Sequence, residues 1–196
     1  EEFMRTAAII TEYNPFHNGH LYHIQEAKRV TGADAAVVIM SGNFVQRGTP
    51  AIMPKHLRVK AALLSGADLV LELPVCFATG SAEFFSMGSV ALLDSLGCID
   101  SICFGSECGD SKTLGKIARI LAEEPGDYKN VLQDALRKGV SFPQARQTAL
   151  TQYFDMPSTD PDRISSVNAK TVAAILSQPN NILGIEYMKA LYKRNS

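Results

Sequence analysis

No apolar run in this 196-residue sequence is long enough to cross a bilayer as a helix. No signal-peptide pattern is visible at its start, where Glu1-Glu2-Phe3 ahead of Met4 reads as a vector-derived remnant. Cysteine is sparse. Cys76, Cys98, Cys103 and Cys108 show no C-x-x-C spacing and read as reduced cytosolic thiols, with a zinc site from Cys98, Cys103 and Cys108 as the alternative. Net charge is close to nil: 19 Lys and Arg against 20 Asp and Glu give −1, which is no electrostatic footprint for nucleic acid. Repeats and low-complexity tracts are absent. The length and the 46% hydrophobic content suit a globular domain with a full core.

What is present alternates between strand and helix. Ala7 to Thr11 reads as a buried strand, and a helix follows from Gly19 with Leu21, Ile24, Ala27 and Val30 on one face. Asp34 to Met40 is a second strand, Lys55 to Ser65 a helix ended by Gly66, and Asp68 to Leu73 a third strand stopped by Pro74. Ser81 to Leu96 is helical, with Phe84, Phe85, Val90, Leu92 and Leu93 as core, and ends at Gly97. Ile99 to Phe104 is a fourth strand. Helices are expected over Lys112 to Glu123, Asp127 to Lys138, Phe142 to Tyr153 and Ser165 to Ser177, with a loop from Met156 to Asp162. Alternation of this kind predicts a parallel sheet flanked by helices, followed by a mostly helical C-terminal part. A boundary near Pro125 divides it into an α/β domain (4–125) and a helical extension (126–196).

The first strand runs into Glu12-Tyr13-Asn14-Pro15-Phe16-His17-Asn18-Gly19-His20. Asn14-Pro15 breaks the strand, so His17 and His20 fall where a strand ends and a helix begins. In an open α/β sheet that crevice is the usual ligand position. The helix N-terminus adds free N–H groups and a positive dipole end, which favour phosphate. Two imidazoles aimed at the α-phosphate of a nucleoside triphosphate can stabilise the charge that builds during nucleotidyl transfer. Gly19 is expected to let backbone approach the phosphates and to tolerate an unusual turn. The same residues also suit turn or cap histidines, or a fragment of a zinc site; the strand before and the helix after favour phosphate.

Other chemistry falls at the remaining strand ends. Ser41-Gly42-Asn43 leads into Gln46-Arg47-Gly48, where Arg47 can hold a phosphate or carboxylate, or simply lie on the surface. Lys55, His56, Arg58 and Lys60 form a basic cluster, either for triphosphate or RNA or as a solvated helix face. Gly105 after the fourth strand suits close approach to an adenine or ribose, or a plain turn. Asp100 and Glu107 are conceivable Mg²⁺ ligands. Asn180 and Asn181 after Pro179 read as a helix cap. Tyr13 and Phe16 can stack on a base or join the core, and His23, one turn into the helix, either reaches the phosphates or faces solvent.

His17-Asn18-Gly19-His20 fits the HxGH signature of nucleotidylyltransferases. Five blocks narrow it: Glu12 to His20, Ser41 to Gly48, Asp68 to Pro74, Phe104 to Glu107 and Pro179 to Gly184. In that order, over nearly the whole chain, they resemble the bacterial tRNA(Met) cytidine acetate ligase family. One departure is Thr49, where the family motif usually has an acidic residue between the glycine and the proline.

The resemblance implies a Rossmann-like sheet of the HxGH type. It implies an ATP-dependent ligase that activates acetate as acetyl-adenylate and acetylates N4 of the wobble cytidine in elongator tRNA(Met). ATP is then the substrate, Mg²⁺ its expected companion, acetate and tRNA the partners, and the cytoplasm the setting, with no membrane involved. His17 and His20 carry the catalysis. The ATP-binding stretch maps onto Ile10, Thr11, Glu12, Tyr13, Asn14, Pro15, Phe16, His17, Asn18, Gly19, His20, Leu21, Tyr22 and His23, with further contacts at Gly105 and Asn180. The same HxGH residues would also serve a small-molecule adenylyltransferase with a phosphate nucleophile, or a non-catalytic nucleotide-binding module. Family members are longer, the chain stops within a helix-like stretch after Ile185, and no convincing second phosphate motif is visible. A partial chain is therefore expected, with more of the tRNA surface beyond Ser196.

Overall fold

A computed structural model describes residues 4–157 and 167–195. The chain forms two compact units, 1–105 and 106–196.

The first unit holds a four-stranded sheet: β1 (Thr6–Thr11), β2 (Ala35–Ser41), β3 (Leu69–Leu73) and β4 (Ser101–Cys103). All pairings are parallel and the strand order is β3-β2-β1-β4. β1 and β2 are central, so they are buried on both faces and read as continuous apolar runs rather than alternating ones. β3 lies at an edge and is more exposed, with Glu72 facing solvent as edge strands favour. Asp100 ties the sheet together: its Oδ2 accepts the Thr6 N–H at 2.7 Å. That bond gives Asp100 a structural task in place of the Mg²⁺ role considered from sequence.

Helix α1 (Asn18–Thr31) links β1 to β2, and α2 (Lys55–Leu64) links β2 to β3. Both cover one face, where Ile24 and Ala27 of α1 and Ala62 of α2 join Ile9, Ala36, Val38 and Met40 in one core cluster. The chain then crosses to the far edge through α3 (Val75–Ala78) and α4 (Ala82–Leu96). A right-handed crossover in that reversed direction uses the opposite face, which makes the sheet doubly wound. α1 and α4 end on Gly32 and Gly97, both at left-handed φ near 65°, as a C-cap without a Cβ allows.

The buried helical stripes are narrower than the periodicity predicts at two positions. Val30 is 64% exposed and Phe84 54% exposed, because each lies at the margin of its helix's buried arc. α3 and a short 3-10 turn over Gln46–Gly48 were not expected from sequence.

The second unit is helical: α5 (Ser111–Glu123), α6 (Gly126–Arg137), α7 (Phe142–Asp155), α8 (Ala169–Leu176) and α9 (Pro179–Arg194). α5 buries Leu114, Ile117, Ala118 and Leu121, a period of three and four, and packs against α9. The first unit ends at Gly105 and the second begins at Ser106. Most of the expected 156–162 loop, and the start of the helix expected from Ser165, lie outside the described residues.

Candidate active site

The order β3-β2-β1-β4 makes the gap between β1 and β4 the topological switch point, where chain connections diverge to opposite faces. In open α/β sheets the C-terminal strand ends at such a point are the usual ligand position. The HxGH turn leaves β1 at this place, and Gly105 follows β4. A Cβ on Gly105 would meet nothing within 4 Å, so nothing within its own unit fills the space beside it.

His17 is the N-cap of α1. Its Nδ1 accepts the Gly19 N–H at 3.1 Å, while Nδ1 of His20 accepts the His17 N–H at 3.2 Å. This is a reciprocal capping box built from two histidines. Its chemical consequence is a fixed tautomer: with Nδ1 accepting, each neutral ring carries its proton on Nε2. Both rings thus present an Nε2–H donor at a helix N-terminus. They stack with centroids 3.7 Å apart at 24°.

Gly19 has a steric role beyond those expected. Its φ is not left-handed and it lies within α1, so no unusual turn requires it. A Cβ there would stand 3.0 Å from Cε1 and 3.1 Å from Nδ1 of His17. The glycine makes room for the imidazole to fold back over the helix end.

His20 sits among rings, 4.8 Å from Tyr13 and 5.5 Å from Phe16. Burial, with help from His17 and His23, lowers its pKa to about 4. At neutral pH it is an uncharged donor. His23 is also pushed down by burial, opposed by a hydrogen bond to the Cys103 backbone. Its Nε2 is buried without a partner, so it does not face solvent. Tyr13 is 1% exposed at φ 48°, and burial raises its phenol; its role is packing rather than base stacking. Phe16 is half-buried against the same core. Asn14 Oδ1 accepts the Ile52 N–H at 2.7 Å and so holds a neighbouring loop.

The basic cluster divides. Arg58 is 1% exposed and spends its guanidinium on backbone carbonyls: Nε on Met53 (3.1 Å), Nη1 on Glu12 (2.6 Å) and Ser41 (3.0 Å), and Nη2 on Gly42. Neither phosphate nor RNA is its partner. Lys55 pairs with Glu72 at 2.5 Å, while His56 and Lys60 lie on the surface. Arg47 remains as the exposed cation at the β2 end. It occupies a left-handed conformation (φ 66°), an uncommon one for a side-chain-bearing residue. Sequence reasoning passed over Gln46 beside it. The Gln46 N–H donates to Glu12 Oε1 at 2.8 Å, while its Nε2 is buried without a partner. The one signal was its place after a central strand.

Asn180 lies in the second unit. The N-cap of α9 is Gln178, not an asparagine, and offers no side-chain bond. Glu107 does the capping instead. Its Oε1 accepts from Asn180 N (3.2 Å) and Nδ2 (3.0 Å), and its Oε2 from Asn181 N (2.9 Å). Asn181 is buried, with Oδ1 accepting from Ser106 Oγ at 2.8 Å and Cys108 N at 3.2 Å. Among the described residues no three His, Cys, Asp or Glu side chains converge as a metal cage would.

Comparison with known proteins accords with this geometry. The profile of the HIGH Nucleotidyl Transferase family matches residues 4–196. Two tRNA(Met) cytidine acetate ligases are similar over 193 residues, 98% of this chain: that of Acetivibrio thermocellus at 51% identity and that of Clostridium novyi at 52%. The chain spans only 44% and 45% of their lengths. Among solved structures, Thermotoga maritima TmcAL bound with alpha-thio ATP superposes with a TM-score of 0.90 at 44% identity, over 98% of this chain and 44% of that one. Its apo form gives the same values. With two histidine Nε2–H donors at the switch point of a parallel sheet, and a profile matching nearly its full length, the chain belongs to the HIGH nucleotidyl transferase family.

Proposed function

We propose that this chain carries the adenylating site of a tRNA(Met) cytidine acetate ligase. A carboxylate oxygen of acetate attacks the α-phosphorus of ATP, the bond to pyrophosphate breaks, and acetyl-adenylate forms. The N4 amine of the wobble cytidine in elongator tRNA(Met) then attacks the acetyl carbonyl, AMP leaves, and the amine gives up a proton. Units 4–105 and 106–196 act as the nucleotidyltransferase domain and its helical extension.

The observation that carries this reading is the histidine capping box. His17 and His20 offer two pre-oriented Nε2–H donors, already fixed by the backbone before substrate arrives. Preorganised donors of this kind stabilise charge on an α-phosphate at no cost of reorganisation. Charge on the triphosphate is met as well by the positive dipole end of α1 and by Arg47. The stretch from Ile10 to His23 and Gly105 form the nucleotide contacts, and Asn180, held by Glu107, adds another. The names of the relatives supply acetate and tRNA.

Three carboxylates of the described residues that could be considered for Mg²⁺ are already engaged. Asp100 serves Thr6, Glu72 serves Lys55, and Glu107 caps α9. Mg²⁺ is accordingly expected with the triphosphate rather than in a cage of side chains.

The test is acetate-dependent exchange of labelled pyrophosphate into ATP by the intact protein. Exchange that requires acetate supports carboxylate adenylation. Intact ATP binding with no exchange overturns it and favours a phosphate-bearing nucleophile.

A further inference from the structure

The loop after β2 is built rather than loose. The Val45 N–H donates to the Thr49 carbonyl at 2.9 Å and the Ala51 N–H to the Asn43 carbonyl at 2.9 Å, so the segment folds back on itself. Arg47 and Gly48 at its tip both take left-handed φ, 66° and 77°. Three ties fasten this loop to the turn that carries His17 and His20. The Gln46 N–H meets Glu12 Oε1 at 2.8 Å, the Ile52 N–H meets Asn14 Oδ1 at 2.7 Å, and the Arg58 guanidinium joins the carbonyls of Glu12, Ser41 and Gly42. Loop and turn therefore hold each other, which is what two walls of one site require if reacting groups are to meet in a single geometry.

The two side chains before Gly48 offer different things. Arg47 is exposed and charged. Gln46 has its side-chain Nε2 buried without a partner. A donor shut away from water and left unpaired is a standing cost to the unliganded protein and calls for a reason. The anchoring of the loop is not that reason, because it uses the backbone N–H of Gln46 and not its amide.

The attack on ATP asks for a donor of this kind. The acid must be held close to the α-phosphate with one carboxylate oxygen free to react. A guanidinium fork takes both oxygens and draws on their charge. A single neutral N–H takes one and leaves the lone pairs of the other for phosphorus. Enclosure favours a small acid over a bulky, highly charged triphosphate. We propose that the Gln46 amide binds the carboxylate of the acid substrate: Nε2–H donates to one oxygen, the other forms the bond to the α-phosphorus, and the bond to pyrophosphate breaks. Gln46 is then a specificity-determining residue for small carboxylates. The proposal rests on the adenylation reading above.

The experiment follows pyrophosphate exchange by the intact protein against acetate and against ATP concentration, in wild type, Gln46→Met and Gln46→Glu. Methionine keeps the length without a donor, and glutamate keeps the shape while opposing one carboxylate with another. A hydrogen bond to a charged group is strong enough that the acetate KM should rise roughly ten- to a hundredfold in Gln46→Met, and at least as far in Gln46→Glu. The KM for ATP should stay at the wild-type value, and exchange at saturating acetate should recover, as the loss of uniform binding requires. Without ligand, Gln46→Met should melt no lower than wild type, since an unpaired buried donor has been removed; a merely structural glutamine would move it downward. An ATP KM that rises in step with that of acetate would overturn the proposal and give the amide to the nucleotide. A lowered melting temperature would overturn it too, by showing that the amide serves the fold. Wild type that exchanges without acetate, or not at all, refutes the adenylation reading and the proposal with it. Acetate-dependent exchange in wild type, with an unshifted acetate KM in both variants, refutes the role of Gln46 alone.

Discussion

Glu107 reaches across 74 positions to cap the helix containing Asn181, with Oε2 2.9 Å from the Asn181 N–H. Burial raises the Glu107 pKa, but N–H donors, including those of Asn180 and Asn181, outweigh it and leave the carboxyl below its ordinary value. The donors it satisfies are those an N-cap side chain would take, and the adjoining Gln178 provides none. Glu107→Ala should therefore destabilise the protein by about 1 kcal/mol, the usual worth of a cap. Glu107→Gln should lose less, since one oxygen still accepts. Urea denaturation checks both, and an Ala variant as stable as wild type would deny Glu107 this role.

Gly19 offers a cleaner separation of stability from catalysis. Alanine is the better helix former by about 1 kcal/mol, so Gly19→Ala should not lower the melting temperature. Yet its Cβ would crowd Cε1 of His17, and the ring must shift by a few tenths of an ångström. Pyrophosphate exchange should fall by about tenfold, against about 10²–10³ for His17→Ala, the range found when one oxyanion donor is removed. Unimpaired exchange in Gly19→Ala would mean that the position of His17 does not matter.

Arg47 and Arg58 lie eleven positions apart and should behave as opposites. Arg58 is buried, and its fork binds the carbonyls of Glu12, Ser41 and Gly42 at the β1 and β2 ends. Arg58→Met leaves those carbonyls unpaired and should cost about 3 kcal/mol or more. Arg58→Lys should not rescue it, because one ammonium cannot span the fork. Arg47→Ala should change stability by less than about 0.5 kcal/mol while weakening ATP binding. Chemical denaturation and ATP titration of the same variants decide the matter.

Those two arginines also show what the sequence could disclose. The sheet was legible because central parallel strands are long apolar runs, and β1, β2 and their helices follow that pattern. The HxGH turn was legible because its residues are contiguous. What escaped were relations between distant positions. Nothing local separates buried Arg58 from exposed Lys60, since the difference lies in which carbonyls fold around the guanidinium. Asn180 and Asn181 looked like caps because asparagine often is one; the cap came from Glu107, which no window around residue 180 contains. Gly19 reads in sequence as close approach to phosphates and freedom to turn; the space it leaves for the His17 ring is visible only in three dimensions. Phe84 and Val30 missed the core because periodicity gives the direction of a helical face and not its width.

His20 gives the pH prediction with its sign. Burial and two neighbouring imidazoles hold its pKa near 4, against an ordinary 6.5. The unfolded chain therefore binds a proton between pH 6.5 and 4 that the folded chain refuses. The contribution of His20 to stability is complete above pH 6.5 and is lost as pH falls through 4. Chemical denaturation at a series of pH values should show this decline, and His20→Asn should remove part of it. In the free protein, NMR titration of His20 should give a midpoint well below 6, with the neutral ring protonated on Nε2. A midpoint of 7 or higher would make His20 largely a cation near neutrality. The donor at the α-phosphate would then be an imidazolium, and the fixed neutral tautomer derived from the His17–His20 box would be wrong.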